Sequence, residues 1–165
     1  MKKLEEKTKK IKMFIMDVDG TLTDGKIYMG PHGEKFKAFN TKDGLGIKLL
    51  IKQGILPVII TGRNSEIVNT RAKELGIEEV YQGVDDKLEV YQLLKEKYNI
   101  SDEEIAFIGD DVNDLPLINK VGLSFCVADA VGVDEEVDYI TKLNGGEGAV
   151  REAIEMILQT SRDNN

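Results

Sequence analysis

The sequence predicts an α/β fold with a Rossmann-like, mostly parallel sheet and helices on both of its faces. Short, almost continuous apolar runs alternate with amphipathic helical patterns along the 165 residues. Such runs are typical of parallel strands that are buried on both faces. No long linker or internal repeat breaks the alternation, so we expect one domain spanning residues 1–165. Within it, residues 1–10 are predicted to be a polar extension and residues 160–165 a polar tail.

The elements follow from periodicity and from stop signals. Six apolar runs predict strands at Lys12–Asp17, Leu56–Thr61, Glu79–Gln82, Ile105–Gly109, Leu123–Val127 and Asp138–Ile140. Helical patterns occupy Gly44–Gln53, Ser65–Leu75, Asp86–Tyr98, Asn113–Asn119 and Ala149–Gln159. One insertion follows the first strand: Lys26–Met29 and Lys35–Phe39 flank a turn sequence at 30–34, which predicts a β-hairpin.

Charge and composition exclude several classes of function. A net charge of −8 disfavours a nucleic-acid partner, because phosphates call for a basic surface. No apolar stretch is long enough to cross a membrane, and Met1–Lys12 lacks the apolar core of a signal peptide. The single cysteine, Cys126, lies in an apolar run and is expected to be a core residue. These features suit a cytoplasmic protein.

The first predicted strand ends in two acidic residues, Asp17 and Asp19, within the sequence D-V-D-G-T. Open α/β sheets place their ligand sites at the carboxyl ends of strands. Residues two apart on extended backbone point to the same side, so these carboxylates repel each other unless a partner is present. Mg²⁺ is the cation that suits an all-oxygen site. The alternative is a solvated turn, which Asp and Gly also favour.

Other strand ends carry complementary groups. Thr61-Gly62-Arg63 precedes a helix, where a hydroxyl and backbone N–H groups can hold an oxyanion, although Thr is also an ordinary helix cap. Lys87 begins another helix, a position that the helix dipole disfavours unless the ammonium faces an anion. The fourth strand ends in three further carboxylates, Asp110, Asp111 and Asp114. Acidic clusters on neighbouring strands would repel each other without a metal, so we predict one joint site.

Together these motifs resemble the haloacid dehalogenase superfamily of phosphotransferases over nearly the whole chain. The family's four motifs occur in order: D-V-D-G-T at 17–21, T-G-R at 61–63, Lys87, and G-D-D-V-N-D at 109–114. The resemblance implies that Asp17 is a nucleophile that forms an aspartyl-phosphate. It implies that Asp19 first protonates the leaving oxygen and then activates the hydrolytic water.

The same resemblance implies a Mg²⁺ site and phosphate contacts. Thr61 and Lys87 would hold phosphoryl oxygens. The implied metal ligands are the Asp17 carboxylate, the Asp19 backbone carbonyl and the Asp110 carboxylate, with Asp111 and Asp114 acting through water or from behind these ligands.

Only about 40 residues separate the first two motifs, which leaves no room for a cap domain. Among capless members, the chain resembles the 3-deoxy-D-manno-octulosonate 8-phosphate phosphatases, which feed lipopolysaccharide synthesis. This implies a homotetramer that binds a sugar acid phosphate, with hairpins and tails covering adjacent sites; the Gly-rich segment 144–148 is one candidate cover. The implied substrate contacts are Asp19, Asn40, Thr41, Lys42, Asp43, Gly44, Lys48, Gly62, Arg63, Arg71 and Lys87.

Three alternatives stay open. A 9-phosphate phosphatase for a nine-carbon, sialic-acid-type sugar resembles the chain almost as well, although such relatives tend to have Glu at the position of Arg63. A receiver domain also uses Asp, Mg²⁺, Thr and Lys, but its accepting Asp follows the third strand. A non-catalytic module is expected to lack Asp17, Asp19 or Lys87, and all three are present.

Overall fold

The computed structural model describes the backbone of residues 2–162 and the side chains of residues 4–159. A six-stranded sheet runs through the centre, in the order β5-β4-β1-β6-β7-β8, and every neighbouring pair is parallel. Its strands are β1 (Met13–Met16), β4 (Leu56–Ile60), β5 (Glu79–Tyr81), β6 (Ile105–Gly109), β7 (Leu123–Cys126) and β8 (Tyr139–Ile140). The predicted fold class is confirmed, and each strand lies within its predicted range.

Within the described residues, six α-helices accompany the sheet: α1 (Lys2–Thr8), α2 (Thr41–Lys52), α3 (Glu66–Leu75), α4 (Lys87–Tyr98), α5 (Leu115–Ile118) and α6 (Ala149–Arg162). Alternate residues of each strand face opposite sides of the sheet. Phe14 and Met16 therefore pack with α2, α3 and α6 on one face. Met13 and Ile15 pack with α4 and α5 on the other face. The strand order reverses beside β1, so the carboxyl end of β1 lies at the crevice where such sheets bind ligands.

The predicted hairpin is present as the antiparallel pair β2 (Tyr28–Gly30) and β3 (Gly33–Phe36). The rings of Tyr28 in β2 and Phe36 in β3 stack with their centroids 4.4 Å apart. An isolated two-stranded hairpin is marginally stable, so this insertion depends on contacts with the rest of the molecule. Those contacts are made at the site described below.

Several element ends differ from the predictions, and β3 begins and ends earlier than its predicted range of Lys35–Phe39. Helix α1 lies within the segment predicted to be a polar extension, where Leu4 packs against the core. Helix α2 begins at Thr41 instead of Gly44, because the Asn40 side chain accepts a hydrogen bond from the Lys42 N–H and caps the helix earlier. Helix α6 continues to Arg162, three residues beyond its predicted end, and residues 163–165 of the predicted tail lie outside the described residues.

Candidate active site

The centre of the site is a buried chain of charges, Asp17–Lys87–Asp114. Asp17 follows β1, Lys87 begins α4, and Asp114 follows β6. The Lys87 Nζ donates to Asp17 Oδ1 at 2.9 Å and to Asp114 Oδ1 at 2.6 Å. Burial alone would lower the pKa of Lys87, but the two carboxylates raise it above its ordinary value. Lys87 therefore faces anions, which explains its place at a helix N-terminus.

Three carboxylates form an acidic cluster that one lysine does not balance. Ligand oxygens of Asp17, Asp110 and Asp114 all lie within 4.8 Å of one another. Burial, together with the charges of Asp17 and Asp114, raises the pKa of Asp110 to about 8. Burial also raises the pKa of Asp17, despite the charge of Lys87. This excess of negative charge on hard oxygen donors fits a divalent cation such as Mg²⁺.

The loop after β6 holds two of these carboxylates in different ways. Both oxygens of Asp114 are engaged, because Oδ2 accepts from the Asp110 N–H at 2.9 Å while Oδ1 accepts from Lys87. Asp110 Oδ1 accepts a hydrogen bond from the Thr21 hydroxyl at 3.2 Å. Asp111 is exposed and accepts from the Val112 N–H, so its carboxylate lies outside the cluster. Asp114 therefore positions Lys87 and the loop, and Asp110 faces Asp17.

An open cleft of about 190 Å³ lies over the acidic cluster. It is lined by Asp17, Asp19, Thr61, Gly62, Arg63, Asp110, Asp111 and Asn113. Thr61 is buried at the end of β4 and its carbonyl accepts from the Val84 N–H, which fixes the start of the loop. The predicted nucleophile, phosphate-binding threonine and acid–base carboxylate therefore border the same space. Asn113 was not predicted as a site residue.

The hairpin supplies two charged residues that the sequence did not single out. The Lys37 ammonium forms an ion pair with Asp19 Oδ1 and a second one with Glu34 Oε1, at 2.9 Å for the latter. Glu34 Oε1 also lies 3.3 Å from a guanidinium nitrogen of Arg63, and Glu34 Oε2 accepts from the Ser65 hydroxyl. Burial would raise the pKa of Glu34, but these hydrogen bonds and positive charges hold it below its ordinary value.

Several predicted substrate contacts lie around a separate small cavity next to α2. Arg71 packs against Gly44, pairs with Glu74 at 2.8 Å and lies over the Phe39 ring. Asp43 is buried and accepts from the Arg151 N–H in the first turn of α6. Three of the predicted contacts on α2 are exposed outside the cleft, namely Thr41, Lys42 and Lys48. The structure does not bring this group into the cleft, and its contact with a substrate stays a prediction.

The Gly-rich segment 144–148 packs on its own chain, and its predicted role in covering a neighbouring site stays a prediction. The Gly146 N–H donates to the Thr21 carbonyl at 3.1 Å, and Asn40 donates to the Gly146 carbonyl. A Cβ on Gly145 would lie 1.7 Å from the Gly20 carbonyl oxygen, so this segment needs glycine in order to pack on the loop after β1. It therefore supports the loop after β1 of its own chain.

Comparison with known proteins places this site in a family. A family model described as haloacid dehalogenase-like hydrolase matches residues 76–154. The 3-deoxy-D-manno-octulosonate 8-phosphate phosphatase KdsC of Escherichia coli K12 is 46% identical over 153 residues, which cover 92% of this chain and 81% of that protein. The chain belongs to the haloacid dehalogenase-like hydrolases.

Solved structures of such hydrolases superpose closely on the chain. The phosphatase of the same name from Yersinia pestis has a TM-score of 0.95 at 43% identity, covering 97% of this chain and 87% of that one. The Moraxella catarrhalis phosphatase, solved with a magnesium ion, phosphate and KDO, has a TM-score of 0.94 at 45% identity, covering 97% and 92%. As in the predicted hydrolase fold, the described residues contain no cap domain. No helix among them is long and apolar enough to span a membrane.

Proposed function

We propose that this chain is a Mg²⁺-dependent phosphatase that hydrolyses 3-deoxy-D-manno-octulosonate 8-phosphate to the free sugar acid and phosphate. The observation that carries the proposal is the Asp17 carboxylate on the floor of the cleft, held by Lys87 beside the acidic cluster. A carboxylate fixed in this way can attack a phosphate that enters from the cleft. The identity to relatives named as this phosphatase supports the choice of substrate.

The proposed reaction has two steps on the chain's own residues. Asp17 attacks phosphorus to form an aspartyl-phosphate, while Asp19 gives a proton to the departing sugar oxygen. Asp19 then takes a proton from the water that attacks the aspartyl-phosphate, which releases phosphate and restores Asp17. Thr61 and Lys87 hold phosphoryl oxygens, and Lys87 also offsets the charge of the nucleophile.

The acidic cluster fits the metal that this chemistry calls for. The proposed ligands are the carboxylates of Asp17 and Asp110 and the backbone carbonyl of Asp19, with Asp114 behind them. When bound, Mg²⁺ neutralises the repulsion between a carboxylate nucleophile and an anionic phosphate.

Arg63 carries the proposed recognition of the sugar acid. Its side chain lines the cleft and is about 39% exposed, so the guanidinium is available to a carboxylate of the substrate. Arginine forks match carboxylates with two parallel hydrogen bonds. Specificity constants for eight- and nine-carbon sugar acid phosphates test this assignment. A preference for the nine-carbon compound would overturn it in favour of the 9-phosphate phosphatase.

Phosphate release by the purified protein with Mg²⁺ tests the reaction itself. We expect release from 3-deoxy-D-manno-octulosonate 8-phosphate and a loss of more than about a thousandfold in Asp17→Asn, since nucleophile removal costs at least this much in other hydrolases. Asp134→Asn, an exposed acid-to-amide change, is the matched control and should keep full activity. No release by the unmodified protein, or equal activity of Asp17→Asn, would refute the proposal.

We further propose that the enzyme works in the cytoplasm as a homotetramer and supplies lipopolysaccharide synthesis, as its family resemblance implies. The open cleft and the exposed apolar hairpin residues Ile27, Met29 and Phe36 support a subunit contact at the hairpin. Sedimentation equilibrium with parallel activity assays tests this proposal, and a fully active monomer would refute it.

A further inference from the structure

The ammonium of Lys37 is buried, and its position is unusual for a hairpin residue. Its side chain is 1% exposed, and its ion-pair partners are the carboxylates of Asp19 and Glu34. A buried ammonium is costly unless carboxylates satisfy it, so this arrangement holds all three side chains in place. Asp19 comes from the loop after β1, whereas Glu34 and Lys37 come from the inserted hairpin. The contact therefore joins the insertion to the cleft.

Glu34 links Lys37 to the segment that follows β4. One of its oxygens lies near both Lys37 and Arg63, and the other accepts from the Ser65 hydroxyl at 2.8 Å. Ser65 is in turn fixed by its backbone N–H, which donates to the Gln82 side chain at 2.8 Å. Lys37 thus pairs with a carboxylate, Glu34, that is hydrogen-bonded to the loop after β4.

We propose that Lys37 is a positioning residue for Asp19, and that Glu34 holds Lys37 in place for this purpose. The inference rests on the proposed phosphatase reaction and assigns the hairpin a part in its proton transfer. Lys37 donates to Asp19 Oδ1, which fixes the plane of the carboxyl group and leaves Oδ2 to carry the transferred proton. As the phosphorus–oxygen bond to the sugar breaks and the bond to Asp17 forms, that proton passes from Oδ2 to the departing oxygen.

Leaving-group dependence tests a role in proton transfer. A sugar alkoxide is a poor leaving group and needs the proton, whereas 4-nitrophenolate leaves without one. In Lys37→Met we expect first-turnover cleavage of the sugar phosphate to fall about 100-fold, since positioned acid catalysis contributes about 10²–10⁴-fold. Cleavage of 4-nitrophenyl phosphate by the same variant should fall no more than about threefold, because that step bypasses the acid.

Lys35→Met is the matched control, since Lys35 lies two residues away on the same hairpin and is exposed. It should leave both rates unchanged. An equal loss on both substrates in Lys37→Met would overturn the proposal and indicate a purely structural role, and so would no loss on either. Only a selective loss on the sugar phosphate supports it.

A second variant keeps the test decisive if Lys37→Met does not fold. Glu34→Gln preserves the size of the side chain but removes the charge that holds Lys37. We expect it to lower the ratio of sugar phosphate to 4-nitrophenyl phosphate cleavage about tenfold, and an unchanged ratio would overturn the proposal. Failure of the unmodified protein to cleave the sugar phosphate would instead defeat the proposed function. An active enzyme with an unchanged ratio in the variants defeats this inference alone.

Discussion

Lys87 and Lys37 are buried ammonium groups, and each lies between two carboxylates, one of which lines the cleft. Lys87 bridges Asp17 and Asp114, and Lys37 bridges Asp19 and Glu34. The partners of Lys87 all follow central strands of the sheet, which fix their relative positions. Lys37 and Glu34 belong instead to an inserted hairpin that must dock correctly to reach Asp19.

The difference separates two tasks within one reaction. The sheet positions the groups that we propose to act on phosphorus, because Asp17 and Asp114 follow two of its central strands. Under the proposal above, the hairpin orients Asp19, which transfers a proton to the leaving oxygen. The same pairing of charges would then serve bond formation in one region and proton transfer in the other.

The largest expected effect is on the first-turnover cleavage rate, which should distinguish Lys87 from Lys37. Lys87→Met should lower first-turnover cleavage about a thousandfold on both the sugar phosphate and 4-nitrophenyl phosphate, because both need the positive charge at phosphorus. Rapid-quench measurements on the two substrates provide the test. The matched control, Lys95→Met on the same helix, should leave both rates intact. A loss confined to the sugar phosphate would break the proposed division between the lysines.

The free energy of unfolding provides a second comparison, between the buried ion pairs of Lys87 and a more exposed lysine pair on the same helix. Removing Lys87 leaves Asp17 and Asp114 buried without their cation, so Lys87→Met should lower the free energy of unfolding by about 3 kcal/mol in Mg²⁺-free buffer. Lys95 forms a more exposed pair with Asp102, and Lys95→Met should cost no more than about 1 kcal/mol. Urea denaturation of both variants measures the difference. Equal losses would show that burial does not distinguish these pairs.

Magnesium should affect the two lysine pairs differently, because the acidic cluster contains both partners of Lys87 and neither partner of Lys37. At a concentration 100 times its dissociation constant, Mg²⁺ should raise the free energy of unfolding by about 2.7 kcal/mol. Asp110→Asn should remove most of this gain, and Lys37→Met should retain it. Urea denaturation with Mg²⁺ and with EDTA measures the shift. A full gain in Asp110→Asn would exclude the cluster as the metal site.

The sequence predicted the Lys87 side of the cleft better than the Lys37 side, for a physical reason. Local apolar runs predicted the strands. Lys87 was predicted as a site residue because a helix N-terminus disfavours a cation that does not face an anion. No local pattern marks Lys37, since its contact with Asp19 spans 18 residues and depends on where the hairpin docks. Helix α1 was not predicted because Lys2–Thr8 has a single apolar residue and so lacks a periodic apolar face, and its packing through Leu4 is a tertiary effect.

Asp43 contrasts with Asp17 and Asp19, because this buried carboxylate forms no ion pair with a lysine among the described residues. Its Oδ1 accepts from the Arg151 N–H at 2.7 Å, and its Oδ2 has no hydrogen-bond partner within the described part of the chain. Burial raises its pKa to about 6, although that hydrogen bond and the charges of Arg151 and Arg71 act in the opposite direction. Asp43 thus shows what burial does to an acid without an adjacent ammonium.

The smallest expected effect is a pH dependence of stability caused by Asp43. Because its folded pKa lies above the unfolded value of about 4, the folded state binds the proton more tightly. The contribution of Asp43 to the free energy of unfolding should therefore decrease by about 1 kcal/mol between pH 5 and 7 and change little above pH 7. Asp43→Asn keeps an oxygen for the Arg151 N–H but cannot titrate, so the difference in urea stability between unmodified protein and variant should follow this curve. The exposed control Asp134→Asn should not alter the slope, and an identical slope in Asp43→Asn would show that folding does not raise the pKa of Asp43.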